Sequence, residues 1–323
     1  MIERCLVERE GSSGMVFGLK VLVTGAKGRL GSKVVAALKK KKHKVTGVDR
    51  EELDLAEASE KQIEDLVDAN DVIVHLAALI DYAAPESRLM KINFHATRKL
   101  AHACRKAKVQ KIVFASSTSI YRGCEEKPVT ESTKPKPVNA YGRSKAKAEQ
   151  SIRDSHVPFV ILRFCAVYGP EFEEGFGPLV RGIRDGRASL VGDGSNRVSF
   201  LFVDDAVDAV VKAVEGKVKN EDFIICGEGI TQRQAFAKTA KFLGVAAPAK
   251  RVSPSLAYAM SYYQLARQKL TGKKAKMLPE HVFTICADRV YGCKRAERLL
   301  GWKPKTSFDS GLRKTLPALL KKK

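Results

Sequence analysis

The apolar run Leu19-Lys20-Val21-Leu22-Val23-Thr24 leads straight into Gly25-Ala26-Lys27-Gly28-Arg29-Leu30-Gly31. Residues 32–42 follow, with Val34, Val35, Ala37 and Leu38 at helical spacing. This order of strand, glycine-rich turn and helix constrains the fold more than any other feature of the chain. The glycines permit a tight turn, close approach of backbone to a pyrophosphate, and close packing of helix on strand. The helix then directs unsatisfied N–H groups and the positive end of its dipole at the same spot. A plain glycine-rich turn is the alternative, and the flanking strand and helix tell against it. A P-loop is excluded, because Ser32-Lys33 stand in the wrong order and the glycine spacing differs.

Strand-like and helix-like stretches go on alternating. Residues 44–48 read as a second strand, and 57–69 as an acidic amphipathic helix. Residues 72–76 and 111–115 have the apolar character of strands buried on both faces. Helices are predicted over 92–106 and 141–154, and a further strand over 159–163. This alternation argues for βαβ units in an α/β fold, a Rossmann-type doubly wound parallel sheet covered on both faces. The second half is less regular. Gly192-Asp193-Gly194 makes a turn, 200–203 and 223–226 read as strands, and 205–214 and 255–270 as helices. We expect a nucleotide-binding Rossmann domain over 19–165. A smaller, integrated C-terminal α/β substrate region is expected over 166–323, with the chain crossing back to the first sheet. Residues 1–18 contain the spacer Gly11-Ser12-Ser13-Gly14 and read as a loose N-terminal extension.

Asp49 ends the second strand. A carboxylate there accepts from both adenosine ribose hydroxyls and repels a 2′-phosphate, which favours NAD over NADP. Lys27, Arg29 and Arg50 lie close enough in sequence to pair with a 2′-phosphate instead. A solvated loop acid is the bland alternative for Asp49.

Tyr141-Gly142-Arg143-Ser144-Lys145 places a tyrosine and a lysine at i and i+4, on one helix face. A phenol titrates near ~10 and is a poor base at neutral pH. A neighbouring ammonium favours the phenolate. Tyr141 is then suited to take a proton from an alcohol while hydride leaves its carbon. An isolated Y-x-x-x-K is common by chance, but its context is not. Ser116-Ser117-Thr118-Ser119-Ile120-Tyr121 follows a buried strand, and hydroxyls at that edge of a parallel sheet face the ligand crevice. Ser117 is placed to stabilise charge developing on a substrate oxygen. A loop or helix-cap role is the alternative for each of these serines.

Taken together these stretches resemble the extended short-chain dehydrogenases/reductases of the NAD-dependent epimerase/dehydratase group. The resemblance adds His75-Leu76-Ala77-Ala78, Asn93, Arg163, Val167-Tyr168-Gly169-Pro170, residues 192–205 and residues 294–311, all in family order. It implies that Gly25, Gly28 and Gly31, with Lys27, Arg29 and Leu30 in the same turn, hold the pyrophosphate. It puts Asp49 with Arg50 at the ribose, Asp54 and Leu55 at the adenine, and Leu76, Ala77 and Ala78 along the cofactor. Val167 would lie beside the nicotinamide. Ser117, Tyr141 and Lys145 would form the catalytic triad, Tyr141 and Lys145 also touching the cofactor. Asn93 matches a structural asparagine, for which a buried hydrogen-bonding role is the simple reading. Family members often dimerise through two helices per subunit, which here would be 92–106 and 141–154.

The pattern departs from that of the nucleotide-sugar enzymes. Their asparagine before Val-Tyr-Gly-Pro is Ala166 here, and the position of their diphosphate-clamping arginine is Val198, with Arg197 one residue early. A one-residue shift on a strand turns a side chain to the opposite face. The acidic pair of dehydratases is Thr118-Ser119. Residues 192–203 and the tail, with Leu300-Gly301-Trp302-Lys303-Pro304, look more like the 3β-hydroxysteroid dehydrogenase-like and dihydroflavonol reductase-like branch. The helix over 258–265 would wall an apolar pocket, or simply pack in the core. Three functions stay open. One is a dehydrogenase or ketoreductase exchanging hydride between nicotinamide and a secondary alcohol or ketone. The second is a nucleotide-sugar epimerase, UDP-glucose 4-epimerase-like, with retained NAD. The third is a non-catalytic, cofactor-sensing binding protein, which the intact triad disfavours.

Composition sets the remaining bounds. Fifty-eight basic and 36 acidic residues give a net charge of +22, which invites a nucleic-acid partner. The clearest lysine runs, 39–44 and 321–323, carry no interleaved aromatic residues to stack on bases, which favours a solvated surface and a small-molecule substrate. The apolar run 72–80, which contains His75, is too short to span a bilayer. The charged N-terminus lacks the apolar core of a signal peptide. Seven cysteines without C-x-x-C pairing read as small buried residues in a reducing cytoplasm, and the six histidines lack metal-ligand spacing.

Overall fold

The computed structural model describes residues 18–321 apart from 274 and 276. The extension expected over 1–18 lies outside the described residues except for Gly18, as do residues 322 and 323 of the basic tail.

The chain runs β1 (Lys20–Thr24), α1 (Arg29–Lys40), β2 (Lys44–Val48), α2 (Glu60–Val67), β3 (Val72–His75) and α3 (Glu86–Leu89). A π-helical turn, Met90–His95, joins α3 to α4 (Ala96–Lys106). Then come β4 (Lys111–Ser117), a 3₁₀ turn at Thr118–Tyr121, α5 (Ala140–Asp154), β5 (Phe159–Phe164) and β6 (Ala166–Tyr168). The remainder is α6 (Glu173–Arg184), β7 (Leu190–Val191), β8 (Arg197–Phe202), α7 (Val203–Glu215), β9 (Glu221–Ile225) and β10 (Gly229–Thr231). It ends with α8 (Gln232–Leu243), β11 (Arg251–Val252), α9 (Pro254–Thr271), α10 (Pro279–Cys286) and α11 (Phe308–Lys321).

Six strands form one parallel sheet in the order β2-β1-β3-β4-β5-β9. The order reverses between β1 and β3, so a crevice opens at the C-terminal ends of those strands. One sheet face packs on α1 and α7 through residues such as Val34, Leu38, Val210 and Val214. The other packs on α2, α4 and α5 through Ile63, Leu100, Ala148 and Ile152. The side chains of the central strands β1, β3 and β5 are buried almost throughout because both faces are covered, whereas the edge strand β2 is largely exposed. A second sheet, β10-β8-β6, and the short pair β11-β7 lie outside the main sheet. A third cluster of Tyr168, Phe176, Phe202 and Phe308 fills the space beneath α6, α8 and α11. No described helix is long and apolar enough to cross a membrane.

Several boundaries move from their expected places for local reasons. Helix α2 starts later than residue 57 because Ser59 caps it and exchanges hydrogen bonds with Gln62. The strand expected over 200–203 begins at Arg197, where β10 pairs with it, and Val203 already opens α7. Residues after 165 do return to the main sheet, as β9 alongside β5. The tail is fixed by Trp302, which is fully buried and donates Nε1–H to the Asp205 carbonyl at 3.0 Å.

Candidate active site

The turn after β1 leaves no room for side chains. Gly25 has φ +71°, and a Cβ there would lie 2.7 Å from the Ala77 nitrogen. At Gly31 it would lie 1.9 Å from the Gly25 carbonyl oxygen. Gly28 is the N-cap of α1 and supplies no side chain, so the first N–H groups of that helix stay open to a ligand. A pyrophosphate fits this cradle chemically. Asp49 stands beside it, accepting the Lys27 N–H at 2.9 Å and the Arg50 N–H at 2.8 Å. The Lys27 ammonium is held by Glu51 at 2.6 Å and by Glu52, which raise its pKa through hydrogen bonds. Asp49, Glu51 and Glu52 thus gather around Lys27 beside the glycine turn, a setting that repels a further anion such as a 2′-phosphate. Arg29 stacks over the Phe172 ring at 5.7 Å, and half-buried Leu30 packs on two of the apolar clusters. Leu55 turns into the core, while Asp54 accepts the Ala56 N–H at 2.9 Å. Leu76, Ala77 and Ala78 are half-buried along the loop after β3, and Val167 is half-buried in β6.

A buried polar chain runs from this turn to the catalytic helix. Thr24 Oγ1 meets His75 Nδ1 at 2.7 Å, and His75 Nε2 meets Thr97 Oγ1 at 2.9 Å. Thr97 donates to the Asn93 carbonyl at 2.7 Å. Burial, with Lys145 nearby, lowers the His75 pKa to about 3, so the ring is neutral. Asn93 Oδ1 accepts the Leu79 N–H at 2.8 Å, and Nδ2 donates to the Leu79 carbonyl and to Ser144 Oγ at 3.0 Å each. Thr97 and Ser144 were invisible as site residues in the sequence. Their only signal is polar character on otherwise buried helix faces.

Ser117 ends β4 and Tyr141 is the second residue of α5. Asn139 caps α5 by accepting the Gly142 N–H at 2.6 Å. A Cβ on Gly142 would lie 2.6 Å from the Ser119 carbonyl oxygen, so this glycine lets α5 reach the end of β4. The Tyr141 phenol and the Ser117 hydroxyl come side by side there, near enough for Ser117 to favour the phenolate. Lys145, one turn along, is buried, with its Nζ 4.1 Å from the centroid of Phe114. The structure therefore brings Ser117 and Tyr141 into contact and sets Lys145 behind them.

The expected lowering of the tyrosine pKa is corrected. Burial, reinforced by Tyr82, raises the Tyr141 pKa, and only the neighbouring Ser117 hydroxyl opposes this. Burial also lowers Lys145 to about 7, with Glu149 pulling the other way. The lysine is too desolvated in the chain alone to act as a strong cation. Glu149 belongs to a second buried network. It accepts from Ser116 at 2.6 Å and from Arg163 at 3.0 and 2.8 Å, and Arg163 also reaches Tyr121 and Asp222.

On the substrate side, Arg197 is exposed and donates to the Gly229 carbonyl at 2.8 Å, whereas Val198 is buried. The wall expected from 258–265 is corrected too. Met260, Tyr262 and Tyr263 are 47%, 59% and 69% exposed, because Ala257 and Ser261 form the inward face of α9. The site is bordered instead by residues that carried no sequence motif. Tyr82 stands edge-on to Tyr141 with ring centroids 5.6 Å apart, and Arg122 lies over Tyr82 at 5.4 Å. Glu280 of α10 pairs with Arg122 and accepts from Asn139 at 2.7 Å, which ties α10 to the cap of the catalytic helix.

Comparison with known proteins agrees with this geometry. The chain is 30% identical over 238 residues to an uncharacterized UDP-glucose epimerase, YtcB, of Bacillus subtilis, covering 62% of this chain and 73% of that one. It is 24% identical over 289 residues to the decarboxylating sterol-4-alpha-carboxylate 3-dehydrogenase of Candida albicans, covering 80% and 79%. The crystal structure of UDP-glucuronic acid 4-epimerase from Bacillus cereus in complex with NAD shares the fold, with TM-score 0.75 and 24% identity over 94% of this chain and 99% of that one. The profile of the NAD dependent epimerase/dehydratase family matches residues 21–226, and the chain belongs to that family.

Proposed function

We propose that the protein is an NAD-dependent oxidoreductase that exchanges hydride between nicotinamide and a secondary alcohol or its ketone, with Tyr141 moving the proton. One observation carries this reading: the buried Tyr141 phenol lies beside the Ser117 hydroxyl and one helical turn from the buried Lys145. Ser117 holds the substrate oxygen beside the phenol and stabilises its developing charge. Tyr141 accepts the hydroxyl proton in oxidation and returns it in reduction. Lys145 favours the phenolate when protonated. NAD, when bound, accepts the hydride and adds positive charge beside the phenol. The glycine cradle and Asp49 would hold it.

The outward turn of Arg197 and the likeness to a sterol-4-alpha-carboxylate 3-dehydrogenase support an exchanging dehydrogenase. A second reading, a nucleotide-sugar epimerase with retained NAD, is supported by the likeness to YtcB. We also propose a homodimer paired through α4 and α5. A groove of about 450 Å³ between them is lined by Phe94, Arg98, His102, Lys147 and Gln150.

The test is to denature the purified protein and identify any nucleotide released. Absence of nucleotide, with NAD reduction by bulky secondary alcohols that is lost in Tyr141→Phe, is the expected result. Stoichiometric NAD in the supernatant would instead select the epimerase. Full activity in Tyr141→Phe would remove the phenol from either mechanism.

A further inference from the structure

Helix α9 is covered on one side and apolar on the other. Its inward face, with Ala257 and Ser261, packs beside α10, and Gln264 accepts the Met277 N–H at 3.1 Å. Its outward face carries Leu256, Ala259, Met260, Tyr263, Ala266 and Leu270, all exposed. Spacings of three and four residues put them on one side of the helix. The stripe runs ~21 Å along the axis at the usual helical rise. Leu256 is 53% exposed and Leu270 86%, and exposed Tyr262 borders the stripe. Single apolar side chains on a surface are ordinary, but a contiguous stripe of them marks an interaction site.

The charge around the stripe narrows what covers it. From residue 229 to residue 279 the chain holds ten basic residues and no Asp or Glu. This stretch therefore supplies +10 of the net +22. Among the described residues its only ion pair is Lys238 with Asp309. Exposed Lys250 and Arg251 precede the N-cap Ser253, and exposed Lys273 follows the C-cap Gly272. Cations thus bracket the stripe at both ends. Arg267, half-buried, falls on the same side of the helix by its spacing.

Two occupants fit this surface poorly. A second copy related by a two-fold axis sets the cationic stretch against itself. A nucleic acid satisfies the cations but leaves Leu256, Met260 and Leu270 without an apolar partner. An anionic lipid surface satisfies both. Apolar side chains enter the acyl boundary, tyrosines sit at headgroup depth, and lysine and arginine stems reach the lipid phosphates. We propose that α9 docks the protein on the surface of an anionic lipid bilayer, with Leu256, Met260, Tyr263 and Leu270 immersed. The helix lies in the interface and does not cross it. The proposal stands apart from the reading of Tyr141.

The test is flotation of the full chain with vesicles of phosphatidylcholine alone and of phosphatidylcholine mixed with phosphatidylglycerol. Binding to the mixed vesicles is expected to be at least about tenfold tighter, and to weaken as salt is raised. Met260→Glu with Leu270→Glu is expected to lower it by about tenfold or more, because charge is placed on the immersed face. Lys250→Glu with Lys273→Glu is expected to remove the preference for anionic vesicles. All four side chains are exposed, so both variants should keep the wild-type melting temperature and NAD affinity. Should the first variant melt early, Tyr263→Ser with Leu270→Ser takes its place. No binding to the mixed vesicles, or undiminished binding in the apolar-face variants, overturns the proposal. Sedimentation and an oligonucleotide titration cover the other occupants. A wild-type dimer split by Met260→Glu with Leu270→Glu, or DNA binding abolished by it, would overturn the proposal as well.

Discussion

Asn93 Nδ2 donates to Ser144 Oγ at 3.0 Å, and Ser144 in turn donates to the Tyr141 carbonyl at 2.8 Å. The π-helical turn that carries Asn93 is thereby joined to the first turn of the catalytic helix. The same amide closes a two-way pair with the backbone of Leu79, in the loop that follows β3. One buried side chain thus sets the spacing between the nucleotide side of the crevice and the phenol.

Asn93→Ala leaves the Leu79 N–H and C=O and the Ser144 hydroxyl short of partners in a buried setting. Each unsatisfied buried group costs about 1–3 kcal/mol, but the Leu79 groups are only half-buried and Ser144 keeps its bond to the Tyr141 carbonyl, so a total loss of about 2–4 kcal/mol is expected. Urea unfolding measures it. A change under about 0.5 kcal/mol, the size of an ordinary surface substitution, would show that water replaces the amide without penalty.

Asp49→Ala is expected to weaken NAD by about tenfold or more, equivalent to at least ~1.4 kcal/mol. NADP binding should fall less, or rise, because a carboxylate opposing the 2′-phosphate is removed. Fluorescence titration with both nucleotides checks this. Equal losses for both would mean that Asp49 serves only the backbone of Lys27 and Arg50.

Lys145 has a pKa of about 7 in the folded chain, below its ordinary value because of burial. Between pH 7 and the unfolded value near ~10.4, the unfolded chain binds more protons at this site, so stability rises with pH. The slope contributed is at most about 1.4 kcal/mol per pH unit. The stability of the wild type relative to Lys145→Met should therefore rise from pH 7 to 9.5. A difference that is flat in pH would place the folded and unfolded pKa values together.

Glu280→Gln strips the charge partner from Arg122, whose side chain is only 4% exposed, and weakens the acceptor of Asn139. Leaving a buried charge unpaired costs about 3–5 kcal/mol. The double variant Arg122→Gln with Glu280→Gln should recover much of that loss, since both charges then go together. Additive losses in the double-mutant cycle would deny the coupling.

The sequence by itself determined the α/β class, the glycine turn and the placing of Tyr141 and Lys145 on one helix face. These follow from local rules: period-2 and period-3.6 patterning, caps, and the space that only glycine leaves. Asp49 at the end of β2 was legible for the same reason. What surrounds the phenol was not. Asn139 and Glu280 lie 141 residues apart in sequence and meet only because α10 folds over the catalytic helix. Tyr82, Arg122 and Phe283 likewise converge from three distant segments. The direction of the pKa shifts also came only with the fold. The i and i+4 spacing predicts an ammonium that lowers the phenol, whereas burial raises Tyr141 and lowers Lys145. Desolvation depends on how much protein closes around a group, and spacing along one helix does not contain that quantity.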